Sequence, residues 1–293
     1  MKELTIISGK GGTGKTSVTA SFATLAPNRI VVDADVDAAN LFLTLEHKTI
    51  ENSFFKGGSL ASIDNDLCTE CGDCRERCQF NAISEDFVID PISCEGCGVC
   101  AYFCPEKAIA FEQQVCGEKF VSETPWGPMI HARLGIAEEN SGLLVSQLRQ
   151  EAREMAKEKN IPLIITDGPP GIGCPVIAAV TNADALLIVT EPSLSGLHDM
   201  ERVKSLADQM RIPTMLCINK ADLNPETAGT IKTFAKENGI KFVGEIPFDR
   251  GVIDAMKANQ SLTQFSRGPA ALAVESIWKE VQQFMGTTLE RIM

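Results

Sequence analysis

Eight of the eleven cysteines stand in two runs. Cys68, Cys71, Cys74 and Cys78 occur in "CTECGDCRERC", and Cys94, Cys97, Cys100 and Cys104 in "CEGCGVCAYFCP". Both runs read C-x2-C-x2-C-x3-C. A shift of 26 residues, Cys68 onto Cys94, superimposes all four cysteines, and brings Gly72 onto Gly98 and Ala82-Ile83 onto Ala108-Ile109. Cysteines this clustered in a reducing compartment read as metal or redox chemistry, not as disulfides. A second constellation lies in "SGKGGTGKTS", residues 8–17, which holds G-x-x-x-x-G-K-T from Gly9 to Thr16. Backbone amides around Gly11–Gly14 would cradle phosphate, Lys15 would reach the β- and γ-phosphates, and the Thr16 hydroxyl would bind Mg²⁺. Lys10 is a further lysine that a phosphate loop by itself does not need.

Such residues must be positioned by regular elements. Strands are expected at Leu4–Ile7, Ile30–Val32, Leu163–Thr166, Ala185–Val189, Thr214–Ile218 and Phe242–Glu245, several of them unbroken β-branched or leucine-rich runs. Runs of that kind suit a parallel sheet covered on both faces. Helical patterns fall between them, as at Gly142–Lys159 and Leu197–Met210. The fold class is therefore α/β, a doubly wound, mostly parallel sheet. The glycine loop then lies between a strand and the helix that begins near Thr16, the context a phosphate loop requires.

Asp33 and Asp167 each end an apolar strand, yet 134 positions separate them. A crossover needs only a few tens of residues, so the cysteine-dense segment is read as an insertion. The expected organisation is a first part of the main domain at 1–61, an inserted domain at 62–115 and the second part at 116–293.

The doubled cysteine pattern resembles a two-cluster bacterial ferredoxin. That resemblance implies a small α+β insert with two [4Fe–4S] clusters. In it, three thiolates of each run serve one cluster and the fourth crosses to the other. The implied ligand sets are Cys68, Cys71, Cys74 and Cys104, and Cys94, Cys97, Cys100 and Cys78. Pro105 follows the second run as the pattern asks, whereas Gln79 stands where the first would have proline. The alternative is two structural zinc ions, which usually combine separated C-x2-C knuckles.

"KGGTGKT" resembles the deviant phosphate loop of the MinD/ParA group of ATPases, which includes the nitrogenase iron protein. The particular subgroup resembled carries an inserted ferredoxin domain. "VVDADVDAANL" resembles its switch I, which implies that Asp35 orients the attacking water and touches the magnesium shell. "IITDGPPGIG" resembles switch II, with Asp167 ending its strand and Gly171 moving with the γ-phosphate. "CINKAD" and "IPFD" resemble the base-contacting loops. The implied nucleotide contacts are Gly9, Lys10, Gly11, Gly12, Thr13, Gly14, Lys15, Thr16 and Ser17, then Asn219, Lys220 and Asp222, then Pro247 and Asp249. The implied catalytic set is Lys10, Lys15, Asp35 and Asp167. "NKAD" also matches the guanine-reading N-K-x-D of G-proteins, while the lysine-rich loop points to ATP. In the resembled family the lysine at Lys10 reaches across a homodimer to the partner's nucleotide, supplying positive charge in trans.

Three other residues have plainer readings. Cys174 lies seven positions after Asp167, where the nitrogenase iron protein has a cluster ligand, but Cys116 gives no clear second ligand; a small buried thiol is expected at Cys174. Cys217 is expected in the core, and His131 in a strand with its ring satisfied.

Composition narrows the partners. Acidic residues outnumber basic ones 39 to 27, for a net charge of −12, which argues against nucleic acid and anionic lipid. Mean hydropathy is +0.02, and no apolar run reaches the 18 or so residues of a membrane span. With no leader pattern after Met1, a cytoplasmic protein is expected. The stretch Ala270–Met293 reads as a helix with Val274, Ile277, Trp278 and Val281 on one face. Its charges, Glu275, Glu280 and Glu290 against Lys279 and Arg291, have the wrong sign for a membrane anchor.

The expected function is an ATP-binding and ATP-hydrolysing dimerisation switch coupled to its own pair of [4Fe–4S] clusters. It would serve electron delivery to, or metallocluster handling for, a partner protein. Two alternatives remain: a redox-sensing regulatory or positioning ATPase, and an iron–sulfur assembly scaffold.

Overall fold

The computed structural model describes residues 1–135 and 141–290. These carry β1 (Lys2–Ser8), α1 (Lys15–Leu25), β2 (Arg29–Asp33), β3 (Lys48–Ile63), α2 (Asp73–Arg77), α3 (Val99–Phe103), β4 (Ile109–Thr124) and β5 (Gly127–Leu134). Then follow α4 (Ser141–Glu158), β6 (Leu163–Pro170), α5 (Cys174–Val180), β7 (Ala185–Thr190), α6 (Leu194–Gln209), β8 (Thr214–Asn219) and α7 (Pro225–Glu237). The last are β9 (Lys241–Ile246), α8 (Gly251–Lys257), α9 (Leu262–Phe265) and α10 (Pro269–Glu290). Among these residues two compact units result: Met1–Ser53 with Lys119–Arg133 and 141–290, and Phe54–Glu118 with 134–135.

Strand order is β3-β4-β5-β2-β6-β1-β7-β8-β9. From β5 through β9 every neighbouring pair is parallel. Alternate residues of the same strands feed two cores in the first unit. Ile6, Leu187 and Met215 meet Phe22 of α1 and Val274, Ile277 and Val281 of α10. Ile7, Ile188 and Leu216 meet Val180 of α5, Val203 of α6 and Ile231 of α7. Burial on both faces is why these strands read as unbroken apolar runs. The register sets Asp33 beside Asp167 and Ile6 beside Asp167, so the ends of β2, β6 and β1 arrive together. Strand ends gathered in this way are where α/β sheets bind ligands.

The terminal helix packs on its own unit, with the Trp278 ring 4.8 Å from that of Phe22 and Val274, Ile277 and Val281 buried. Glu275 and Glu280 pair with Arg267 and Lys241. Arg291 and the residues after it lie outside the described residues.

The interval between β2 and β6 contains more sheet than expected. β3 and β4 are sixteen residues each, and β5 follows them. Most of Lys48–Phe54 is exposed and polar, so these positions lack the alternation that marks a half-buried strand.

The second unit repeats itself. α2 and α3 are five-residue helices in the same place in each cysteine run, each preceded by a left-handed glycine, Gly72 or Gly98. Left-handed residues recur at Glu70 and Gly96 and at Asn81 and Lys107. The two halves also exchange backbone bonds: Asp64 N donates to Ala108 O and Asp90 N to Ala82 O, both at 2.8 Å. The chain after each run is thereby tied to the chain before the other.

Candidate functional site

In the first unit, β1 ends in the glycine loop and α1 begins at Lys15. Gly14 is left-handed (φ 88°), and a side chain there would overlap the Asn219 amide. At Gly9 a side chain would overlap Asp199. The Thr13 hydroxyl is buried in the loop without a partner.

Lys15 is buried and its Nζ lies 3.0 Å from Asp167 Oδ1 and 3.6 Å from Asp35 Oδ2. Burial alone would lower its pKa, but Asp167 and Asp35 outweigh that and hold the ammonium above its ordinary value. The Thr16 hydroxyl donates to Asp167 Oδ2 at 2.7 Å, and the Thr19 hydroxyl to Asp167 Oδ1 at 2.8 Å. Burial raises the Asp35 carboxyl despite Lys15. Asp33 is raised to about 7, by burial first and then by the charge of Asp167. Its oxygens accept amides from Asp35 at 3.2 Å, Asn40 at 3.2 Å and Leu41 at 3.0 Å, which folds the chain after β2 back over the site. Three carboxylates thus face one ammonium. That surplus of negative charge suits a divalent cation beside Thr16.

Lys10 points to a different place. Its Nζ is 2.6 Å from Glu191 Oε1 and donates to Ser195 Oγ at 2.9 Å and Ser193 Oγ at 3.3 Å. Lys220 also pairs with Glu191, at 3.2 Å, and donates to Gly12 O at 3.1 Å. The two lysines together hold the Glu191 carboxyl below its usual range, with the Lys10 hydrogen bond the largest cause.

The loops after β8 and β9 are joined to each other and to the glycine loop. Asn219 Nδ2 donates to Thr13 O at 2.8 Å, and its Oδ1 accepts from Lys220 N at 2.9 Å. Asp222 Oδ1 accepts from Phe248 N at 2.6 Å, between Pro247 and Asp249. Asp249 Oδ1 accepts from Gly251 N at 2.7 Å. Asn219 is therefore a brace for the phosphate loop, with both ends of its amide already engaged.

Sequence reasoning missed Glu191, Ser193, Ser195, Thr19 and the role of Asp33. The available signal was position, since Asp33 ends β2 and "EPS" (Glu191–Ser193) follows β7 at the same edge of the sheet.

In the second unit the eight cysteines line two cavities. Cys68, Cys71, Cys74 and Cys104 line one, with Ile63, Phe87 and Ile109. Cys78, Cys94, Cys97 and Cys100 line the other, with Ala61, Ile83 and Ile89. Each cavity has three thiols from one run and the fourth from the other. Amides aim at several sulfurs: Glu70 N at Cys68 Sγ (3.4 Å), Ala82 N at Cys78 Sγ (3.4 Å) and Ala108 N at Cys104 Sγ (3.3 Å). Amides so directed stabilise thiolate charge. Four thiols around an apolar hollow fit a cubane, whose irons sit at its corners. Among the described residues no three His, Cys, Asp or Glu side chains gather as one metal ion would need.

Other readings have mixed outcomes. Cys217 is wholly buried, and burial pushes its thiol far up. His131 lies in β5, its Nε2 sharing a hydrogen bond with Ser122 Oγ at 3.0 Å. Cys174 is a correction: it is exposed, not buried, because it opens α5 on the side away from Val176 and Val180, which fill the core. No helix among the described residues is long and apolar enough to cross a membrane.

Comparisons with known proteins bear on the family and the fold. Residues 4–262 match the nucleotide-binding domain family CobQ/CobB/MinD/ParA. An uncharacterized protein of Methanocaldococcus jannaschii is 32% identical over 291 residues, 97% of each chain. An iron–sulfur cluster carrier protein of Pyrococcus abyssi is 27% identical over 150 residues, 46% of this chain and 50% of that one. A pyruvate synthase subunit of Methanothermobacter marburgensis is 40% identical over 52 residues, 18% of this chain and 64% of that one. The septum site-determining protein MinD of Pyrococcus horikoshii, solved with Mg-ADP, shares the fold: TM-score 0.60 at 18% identity, over 97% of each chain.

Proposed function

The chain belongs to the CobQ/CobB/MinD/ParA family of P-loop ATPases, and we propose that it couples ATP to a pair of [4Fe–4S] clusters that deliver electrons to a partner protein. The observation that carries this is the sorting of eight thiols into two apolar cavities, three from one run and one from the other in each. Bound there, the clusters would supply one-electron chemistry. Cys68, Cys71, Cys74 and Cys104 would hold one, and Cys94, Cys97, Cys100 and Cys78 the other, in a domain inserted at about 62–115.

At the ATPase site Gly9 to Ser17 would wrap the phosphates, with Lys15 on the β- and γ-phosphates. Thr16 would hold Mg²⁺, whose charge answers the carboxylates of Asp33, Asp35 and Asp167. Asp35 would orient the attacking water, and Asp167 would sense the metal. Asn219, Lys220, Asp222, Pro247 and Asp249 would surround the base. Lys10 would leave Glu191 and reach the nucleotide of a second copy, so that ATP binding and dimer closure become one event.

A second reading has its own support. The similarity to an iron–sulfur cluster carrier favours a protein that hands clusters on. One experiment separates the two. Anaerobic protein is titrated for its potential with and without a non-hydrolysable ATP analogue, then mixed with an apo-acceptor. Electron delivery requires a nucleotide-dependent potential or rate with iron retained. Loss of iron to the acceptor supports the carrier reading. Stoichiometric zinc in place of iron would overturn both.

A further inference from the structure

The two cysteine cavities are built alike but finished differently. The 26-residue repeat pairs most positions around one cavity with a position around the other, so each half serves as a control for its sister. Val99 on the rim of the second cavity corresponds to Asp73 on the first, and Phe80 corresponds to Glu106. Beyond the rim, Tyr102 of α3 is 83% exposed where α2 has Glu76, and Ile92 is 92% exposed where the first half has Asp66. Leu67, whose mate is Ser93, is an exception on the first half. The fold therefore accepts charge at these positions, and Tyr102 remains largely exposed although its ring meets that of Phe103 at 5.0 Å. Val99 and Tyr102 are three apart on one helix and share a face. Exposed apolar groups gathered in this way mark interaction sites.

We propose that the apolar rim of the second cavity, around Phe80, Val99 and Tyr102, docks a redox partner protein. This rests on the reading that both cavities hold clusters. The occupant is a different protein carrying a one-electron centre (flavin, haem or iron–sulfur). One electron leaves the centre held by Cys78, Cys94, Cys97 and Cys100 and reduces the partner's centre by one; no bond forms and no proton moves. A second copy docked here through a twofold axis would set two equal centres together, with no driving force between them. Anionic lipid is disfavoured by the net charge of −12 and by Glu95 on the rim. Glu95 and that overall charge instead favour a partner whose apolar patch is edged by basic residues.

The test uses the full chain, purified anaerobically. After reduction with dithionite, its electron paramagnetic resonance spectrum must first show two [4Fe–4S] clusters; failure at that step overturns the underlying reading and not the docking assignment. A photo-crosslinking phenylalanine analogue is placed at Tyr102 in one variant and at Glu76 in another, and each is irradiated in extract of the native host. The expected capture, from position 102 and not 76, is a protein with a one-electron centre that the reduced chain reduces directly. Tyr102→Ser with Ile92→Ser should lower that rate at least tenfold, while the cluster spectrum and reduction of ferricyanide stay within twofold. Capture of a second copy, of lipid, of a protein without a redox centre, or of nothing overturns the proposal. So does equal capture from position 76, or an unchanged rate in the serine variant.

Discussion

Lys10 Nζ lies 2.6 Å from Glu191 Oε1 of its own chain, held in cis by the segment that follows β7. A lysine destined for a second copy must first leave this carboxylate. The pair is partly exposed, so it is worth no more than about 1 kcal/mol. Glu191→Gln should therefore raise the ATP-dependent dimer fraction by a few-fold, read by light scattering at sub-saturating ATP. Lys10→Ala should still bind nucleotide yet form no ATP-dependent dimer and hydrolyse poorly. Equal loss of binding in Lys10→Ala and Lys15→Ala, by calorimetry, would make Lys10 a local phosphate ligand only.

Lys15→Ala should abolish nucleotide binding and also leave Asp167, Asp35 and Asp33 without their facing cation. Removing one partner from a buried charged set costs about 3–5 kcal/mol. The variant should melt well below the parent at pH 8. Asp35→Ala should bind ATP and dimerise but hydrolyse slowly. Unimpaired turnover in Asp35→Ala would remove that residue from catalysis.

Asn219 braces the glycine loop through Thr13 O, so Asn219→Ala should weaken ATP and GTP together. Base choice is then read in the parent chain: ATP should compete at least tenfold better than GTP, about 1.4 kcal/mol. A preference for GTP would assign Asp222 to guanine.

Fully loaded protein should contain about eight irons per chain. Cys78→Ser should damage the cluster served by Cys94, Cys97 and Cys100, leaving the signal of the Cys68, Cys71 and Cys74 centre intact. Damage confined to the nearer run would contradict the sharing of cavities.

His131 is lowered to about 4, by burial first and then by His47 and Arg133. The unfolded chain binds a proton near 6.5 that the folded one refuses until about pH 4. This contribution is present above 6.5 and lost as pH falls toward 4, a change of about 3 kcal/mol. Asp33, raised to about 7, acts in the opposite sense over an overlapping range, so the comparison must be between variants. His131→Phe should flatten the acid limb of the melting-temperature profile relative to the parent; an unaltered limb would show that His131 does not set it.

Local pattern alone determined much of this protein. The cysteine spacing, the glycine loop and the apolar runs of β1, β2, β6, β7, β8 and β9 depend on residues a few positions apart, and periodicity records them. The register of β2 on β6, which brings Asp33 to Asp167, could be anticipated only as two strands ending in aspartate. β3 and most of β4 were not legible, because polar, exposed strands carry no period-two signal; of β5, which is largely buried, only a strand at His131 was expected. Only the tertiary structure decided which side chains meet. Lys10 finds Ser195 across 185 positions, and Asn219 finds Thr13 across 206. It also put Cys174 at the surface. The reason is physical: strand order places β1 between β6 and β7, and hydrogen bonds form between neighbours in space that no local periodicity encodes.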